Sequence, residues 1–132
     1  MLQRDYIQRL IREFIAALQR FVEKKEAGER QEEARQMFTR YFGDYAFFHT
    51  GSIDDIMQWF ERYPEEERLD RIGMLAELYY AEADALGEPM RTGVLDRAFM
   101  LFDSVDRHSR TFSIDRRNKL SDINIKRGRN PD

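Results

Sequence analysis

Stepping about 100° per residue from Tyr6, the side chains of Ile7, Leu10, Ile11, Phe14, Ile15, Leu18, Phe21 and Val22 fall on one half of a helical wheel. Asp5, Gln8, Arg9, Arg12, Glu13, Gln19, Arg20 and Glu23 fill the other half. This stripe is broader than the seam of a two-stranded coiled coil, so the first helix has to lie across two or more neighbours. No later segment alternates with period two, and Val and Thr occur only 3 and 4 times in 132 residues, so no sheet is expected. Leu, Ile, Val and Phe make up about a quarter of the chain, enough to build a core. The expected fold is all-α: one domain over residues 1–132, a compact array of about six helices with antiparallel helical hairpins.

Punctuation residues divide the array. Ala27 and Gly28 read as the stop of the first helix. A second helix spans about Glu29 to Phe42, with Ala34, Met37, Phe38 and Tyr41 on one side and Gly43 as its C-terminal cap. Ser52 with Asp55 reads as a capping box that opens a short helix carrying Ile53, Ile56, Met57 and Phe60. Pro64 followed by Glu65, Glu66 and Glu67 starts the fourth helix, which runs to about Leu86. Gly87 closes it and Pro89 reopens the chain as a helix from about Met90 to Asp106, so the fourth and fifth helices form a tight antiparallel hairpin. Ser113 caps a last helix through about Lys126, and residues 127–132 read as a flexible basic tail. Gly73 and Gly93 fall inside helices and are expected to permit close backbone crossings.

Composition excludes several function classes. The absence of Cys removes disulfides, thiol nucleophiles and Cys-bound metals. No stretch approaches the roughly 20 apolar residues needed to span a bilayer, and no signal-peptide hydrophobic region follows Met1, so the expected setting is cytoplasmic, without a membrane partner. Charge is uneven: Asp54 to Glu88 sums to -8, Ile114 to Asp132 to +3. An acidic middle argues against a nucleic-acid groove there; a regulator acting through Arg116, Arg117, Lys119, Lys126, Arg127 and Arg129 is the one nucleic-acid alternative. There is no nucleophile elbow and no Gly-rich phosphate loop.

The opening Asp5-Tyr6-Ile7-Gln8-Arg9-Leu10-Ile11-Arg12-Glu13-Phe14, with Leu18 after it, resembles the N-terminal signature of a family of small uncharacterised bacterial helical proteins, a domain-of-unknown-function family. That resemblance covers the whole chain and implies no activity, substrate or catalytic residue. The second half also resembles a tetratricopeptide-type repeat, through Leu75, Ala76 and Tyr79 on one helix and Ala98 and Phe102 on the next. Their spacing exceeds the roughly 34-residue repeat, and no second copy is evident. This second resemblance implies hairpin packing and a protein-binding groove.

The most aromatic segment supplies the candidate partner-binding residues Tyr41, Phe42, Tyr45, Phe47 and Phe48, joined by Trp59. The competing reading, a plug of rings filling an irregular core gap, is favoured on burial statistics. Asp103, Asp106 and His108 share one helix end, but their spacing supplies too few ligands for a metal site; His108 reads as a cation on the helix C-terminal carbonyls. Glu77, Glu82 and Asp84, near Tyr79, Tyr80, Arg68 and Arg71, read as a solvated helix face. With no cofactor or metal site indicated, the leading expectation is a non-enzymatic protein-interaction module that binds a partner or a second copy of itself. The alternative is an enzyme whose site is assembled between helices from His, Tyr and carboxylates.

Overall fold

The structure, a computed structural model, describes residues 2–128. Those residues form α1 (Leu2–Val22), α2 (Ala27–Tyr41), α3 (Tyr45–Thr50), α4 (Ile53–Trp59), α5 (Glu65–Glu82), α6 (Met90–His108) and α7 (Ile114–Lys126). One-turn 3-10 segments follow α4 (Phe60–Arg62) and α5 (Ala83–Ala85). The all-α expectation holds, with no strand among the described residues.

Each boundary has a local cause. α1 stops at Val22, before Ala27 and Gly28, because Glu23-Lys24-Lys25-Glu26 offers nothing to bury once Phe21 has been enclosed. Ala27 and Gly28 therefore begin α2 instead of ending α1. The seventh helix is α3, which the sequence reading left as an aromatic connection. Its six residues are too few to display a helical period, but Asp44 caps it by accepting the Ala46 N–H at 3.3 Å. Gly51 ends it: an added Cβ would lie 2.6 Å from the Phe47 carbonyl oxygen, so only glycine fits without movement. Ser52 and Ser113 cap α4 and α7 as expected, accepting the N–H groups of Asp55 and Arg116.

α5 is the axis of the fold. Ile72, Met74, Leu75, Ala76, Leu78 and Tyr79 are buried over more than half of its circumference, and it packs against α1, α2 and α6. Its packing with α6 is more extensive than that of any other pair. α5 ends at Glu82, short of the expected Leu86, and the hairpin that follows is capped from both sides. Arg91 Nε donates to the carbonyls of Ala83 and Leu86 at 3.2 and 2.9 Å, while the Glu88 carboxylate accepts the Thr92 N–H at 3.0 Å.

α7 brings few apolar groups to the core, chiefly Ile123 and Leu120. It is fastened by polar contacts: Lys119 to Glu77 at 2.7 Å, Tyr80 to Asp122 at 2.5 Å, Arg116 to Asp106 at 2.9 Å and Arg127 to Asp96 at 2.7 Å. Arg127, assigned by sequence to the tail, is the C-cap of α7 with a side chain only 5% exposed. Residues 129–132 of the expected tail lie outside the described residues.

Gly73 and Gly93 do not mark backbone crossings. A Cβ at either position would meet nothing within 4 Å. Each borders a cavity instead, and those two cavities are the candidate sites.

Candidate functional site

The six aromatic candidates separate by depth. Phe42 and Phe48 are buried, and Tyr41, Tyr45, Phe47 and Trp59 are half-buried on the core. Phe38 organises them, with its ring 5.3 Å from Tyr45, 4.6 Å from His49 and 5.4 Å from Tyr79. Edge-to-face contacts predominate, the geometry that favours aromatic pairs beyond simple burial. Only Tyr45 among the six also lines a cavity.

That cavity, of about 560 Å³, lies between α2, α3, α4 and α6, within the range typical of small-ligand sites. The short α3 places Tyr45 and His49 one turn apart, so their rings stack at 3.7 Å and 16°. Behind them stands Glu82, 1% exposed, at the end of α5. His49 Nε2 lies 2.8 Å from Glu82 Oε1, and the Tyr45 hydroxyl donates to Oε2 at 2.5 Å. His49 Nδ1 lies 2.8 Å from the Tyr45 carbonyl oxygen.

Hydrogen-bond accounting fixes the protons. A carbonyl can only accept, so Nδ1 carries a hydrogen and donates it. Nε2 then faces a carboxylate oxygen, and that contact requires one further proton between the two atoms. His49 and Glu82 are thus neutral as a pair, either imidazolium with carboxylate or imidazole with carboxylic acid. Burial pushes the Tyr45 hydroxyl well above its usual ionisation range, and the bond to Glu82 adds to that shift. Tyr45 therefore remains a donor at neutral pH. Proton exchange is the chemistry this arrangement can perform.

The wall formed by α6 supplies a cation. Arg97 lies beside the buried Tyr79 hydroxyl, whose ionisation is pushed up by burial and partly opposed by Arg97. Its Nη1 is buried and has no hydrogen-bond partner. Arg35, exposed on α2, sits 4.2 Å from the Tyr45 ring centroid, a cation-π contact. Asp96 also borders the cavity, with its carboxylate 2.7 Å from Arg127.

The expectation that Glu82 belongs to a solvated face is wrong. Charged residues are usually exposed, but Glu82 falls between Leu75 and Leu78 on the wheel of α5, inside its buried arc, so its carboxylate has to be paired inside. Arg71 and Glu67 on the same helix confirm the rule: 8% and 6% exposed, they meet at 3.0 Å. Glu77 is partly covered as well, and burial raises its carboxyl above the usual range despite Lys119. The signal in the sequence is that Glu82 stands four and seven residues after Leu78 and Leu75, on the apolar side of α5.

Other candidates stay apart. Asp103 pairs with Arg107, Asp106 with Arg116 and Arg117, and His108 Nδ1 donates to the Ser104 carbonyl at 2.8 Å as a helix-end residue. No group of three or more His, Asp or Glu able to hold a metal occurs among the described residues. Among the basic candidates, Arg116, Arg117, Lys119, Lys126 and Arg127 each contact a carboxylate. Arg129 lies outside the described residues.

The second cavity, of about 460 Å³, is a groove bounded by α1, α5, α6 and α7. Ile11, Phe14, Leu18, Met74 and Phe102 are among its lining, Gly73 borders it, and Lys119 stands at its edge. Ile15 within it is 48% exposed, and Phe112 and Ile114, which flank the lining residue Ser113, are 74% and 67% exposed. No helix among the described residues is long and apolar enough to cross a membrane.

Comparison with protein-family models, with curated proteins and with solved structures finds no match to this chain.

Proposed function

We propose that this chain is a small-molecule-binding helical protein whose ligand occupies the cavity beside α6, with His49 and Tyr45 in its wall and Glu82 holding them from behind. The observation that carries the reading is Glu82: a carboxylate buried to 1%, held by two side chains that line the same cavity. Enclosing such a group costs several kcal/mol before pairing, and an apolar replacement would often serve stability as well. Polar groups that converge at an open cavity support a ligand site. Binding of an apolar probe such as octan-1-ol or octanoate, followed by calorimetry, tests it. Saturable binding of either that is lost in Gly93→Leu, which fills the cavity, supports the reading; the absence of binding by both contradicts it.

The groove between α1 and α7 favours a second reading, a cytoplasmic protein-interaction module. It is supported by the exposure of Ile15, Phe112 and Ile114 along a groove floored by core residues. The tetratricopeptide-like style of the second half belongs with this reading, since Leu75, Ala76 and Tyr79 on α5 and Ala98 and Phe102 on α6 are all buried in the hairpin. Sedimentation of the chain across a wide concentration range, with and without Phe112→Asp, tests self-association. A monomer at every concentration contradicts it.

A further inference from the structure

We infer that the ligand of the α6 cavity is an organic carboxylate with an apolar tail, its head group bound by Arg97. The inference rests on the small-molecule reading above and adds the chemical class of the ligand.

Charge accounting leads to one negative group. His49 and Glu82 are neutral as a pair through their shared proton. The Asp96 carboxylate is engaged by Arg127. Arg35 is exposed, so water screens its charge. Arg97 also lines the cavity, and although its side chain hydrogen-bonds Tyr79, its Nη1 is buried without a partner. A buried donor left unmade is costly, and a guanidinium nitrogen is best satisfied by an anionic oxygen. With the other charged groups of the lining paired or screened, one guanidinium nitrogen matches one negative charge, so a monoanionic carboxylate fits better than a phosphate dianion.

The tail follows from the face of α6. Met90, Gly93, Arg97 and Met100 recur at intervals of three and four residues, so they form one stripe along the helix, and all four line the cavity. Met90 and Met100 are 58% and 50% exposed, and their flexible thioethers can close over an aliphatic chain. Gly93, between Met90 and Arg97, leaves the wall open, and an added Cβ there would meet nothing within 4 Å. Ile53, Leu86 and Val94 complete an apolar lining. A head on Arg97 with a tail running over Gly93 toward Met90 uses every one of these features.

The test is calorimetric titration of the full chain with octanoate, octan-1-ol and octyl phosphate at neutral pH. Octanoate is expected to bind at least about tenfold more tightly than octan-1-ol, and Arg97→Gln to erase that preference while leaving octan-1-ol unaffected. Gly93→Leu, which keeps Arg97 and the helix, is expected to abolish binding of both. Equal affinity for octanoate and octan-1-ol in the native chain overturns the carboxylate assignment and leaves the cavity reading standing. So does octyl phosphate binding most tightly, or an octanoate preference that survives Arg97→Gln. Failure of every probe overturns the cavity reading itself.

Discussion

Glu82 and His49 lie 33 residues apart in sequence and 2.8 Å apart in the fold, joining the end of the central helix to a one-and-a-half-turn helix at the surface. The contact fastens α3 together with the buried Phe48 and the Asp44 cap, since helices this short are marginal alone. Glu82→Ala strands the buried Tyr45 hydroxyl and His49 Nε2 and should cost roughly 3 kcal/mol or more. Urea unfolding with constant slope would measure it. A loss below about 1 kcal/mol would mean that the pair does not hold α3 in place.

Gly93 and Gly73 make an opposite prediction. Both are helical, and a Cβ at either meets open space. Gly93→Ala and Gly73→Ala should each stabilise the chain by about 0.5–1 kcal/mol, because Ala loses less backbone freedom on forming helix. Thermal melting reports the gain as a few degrees. Destabilisation at either site would restore the close-crossing interpretation that the sequence suggested.

Gly51 behaves differently because its Cβ would press on backbone. With the Phe47 carbonyl oxygen 2.6 Å from the added atom, Gly51→Ala forces the α3 terminus to shift. The expected loss is about 1–3 kcal/mol. Stability equal to the native chain, by the same melting assay, would show that the turn relaxes freely.

Most of the helical frame was legible from sequence, and the reason is physical. Ser52, Ser113 and Pro64 act within a few residues of their own position, so local rules capture them, whereas α5 ends at Glu82, before Gly87. α3 escaped because six residues carry no period, and the start of α2 escaped because Glu26 caps it with no side-chain bond. The site was harder to read. Tyr45 is singled out for its ring and Glu82 as one of the acids of the fourth helix, but their meeting with His49 depends on how α3 folds onto α5. Arg97 carried no sequence signal beyond its place on α6, three and four residues from Met100 and Gly93.

Acid should loosen α7. Bonds from Arg117 and Arg116 hold the Asp106 carboxyl below its ordinary value of 3.8. A carboxyl depressed in the folded chain contributes stability above its unfolded pKa and loses it as pH falls through the folded one. The denaturant midpoint should therefore drop once pH falls below about 4, and Asp106→Asn should lower the midpoint at pH 7 while flattening its acid limb. Parallel pH curves for the two proteins would remove Asp106 from the account.

The most direct test of the ligand site is the methionine methyl spectrum during titration with octanoate, because the methionines report on both cavities. Met90 and Met100 line the α6 cavity, and Met74 lines the groove beneath α1 and α7. Saturable shifts of the Met90 and Met100 methyls with Met74 unmoved, all absent in Gly93→Leu, are the predicted result. Movement of Met74 with Met90 and Met100 silent would contradict it.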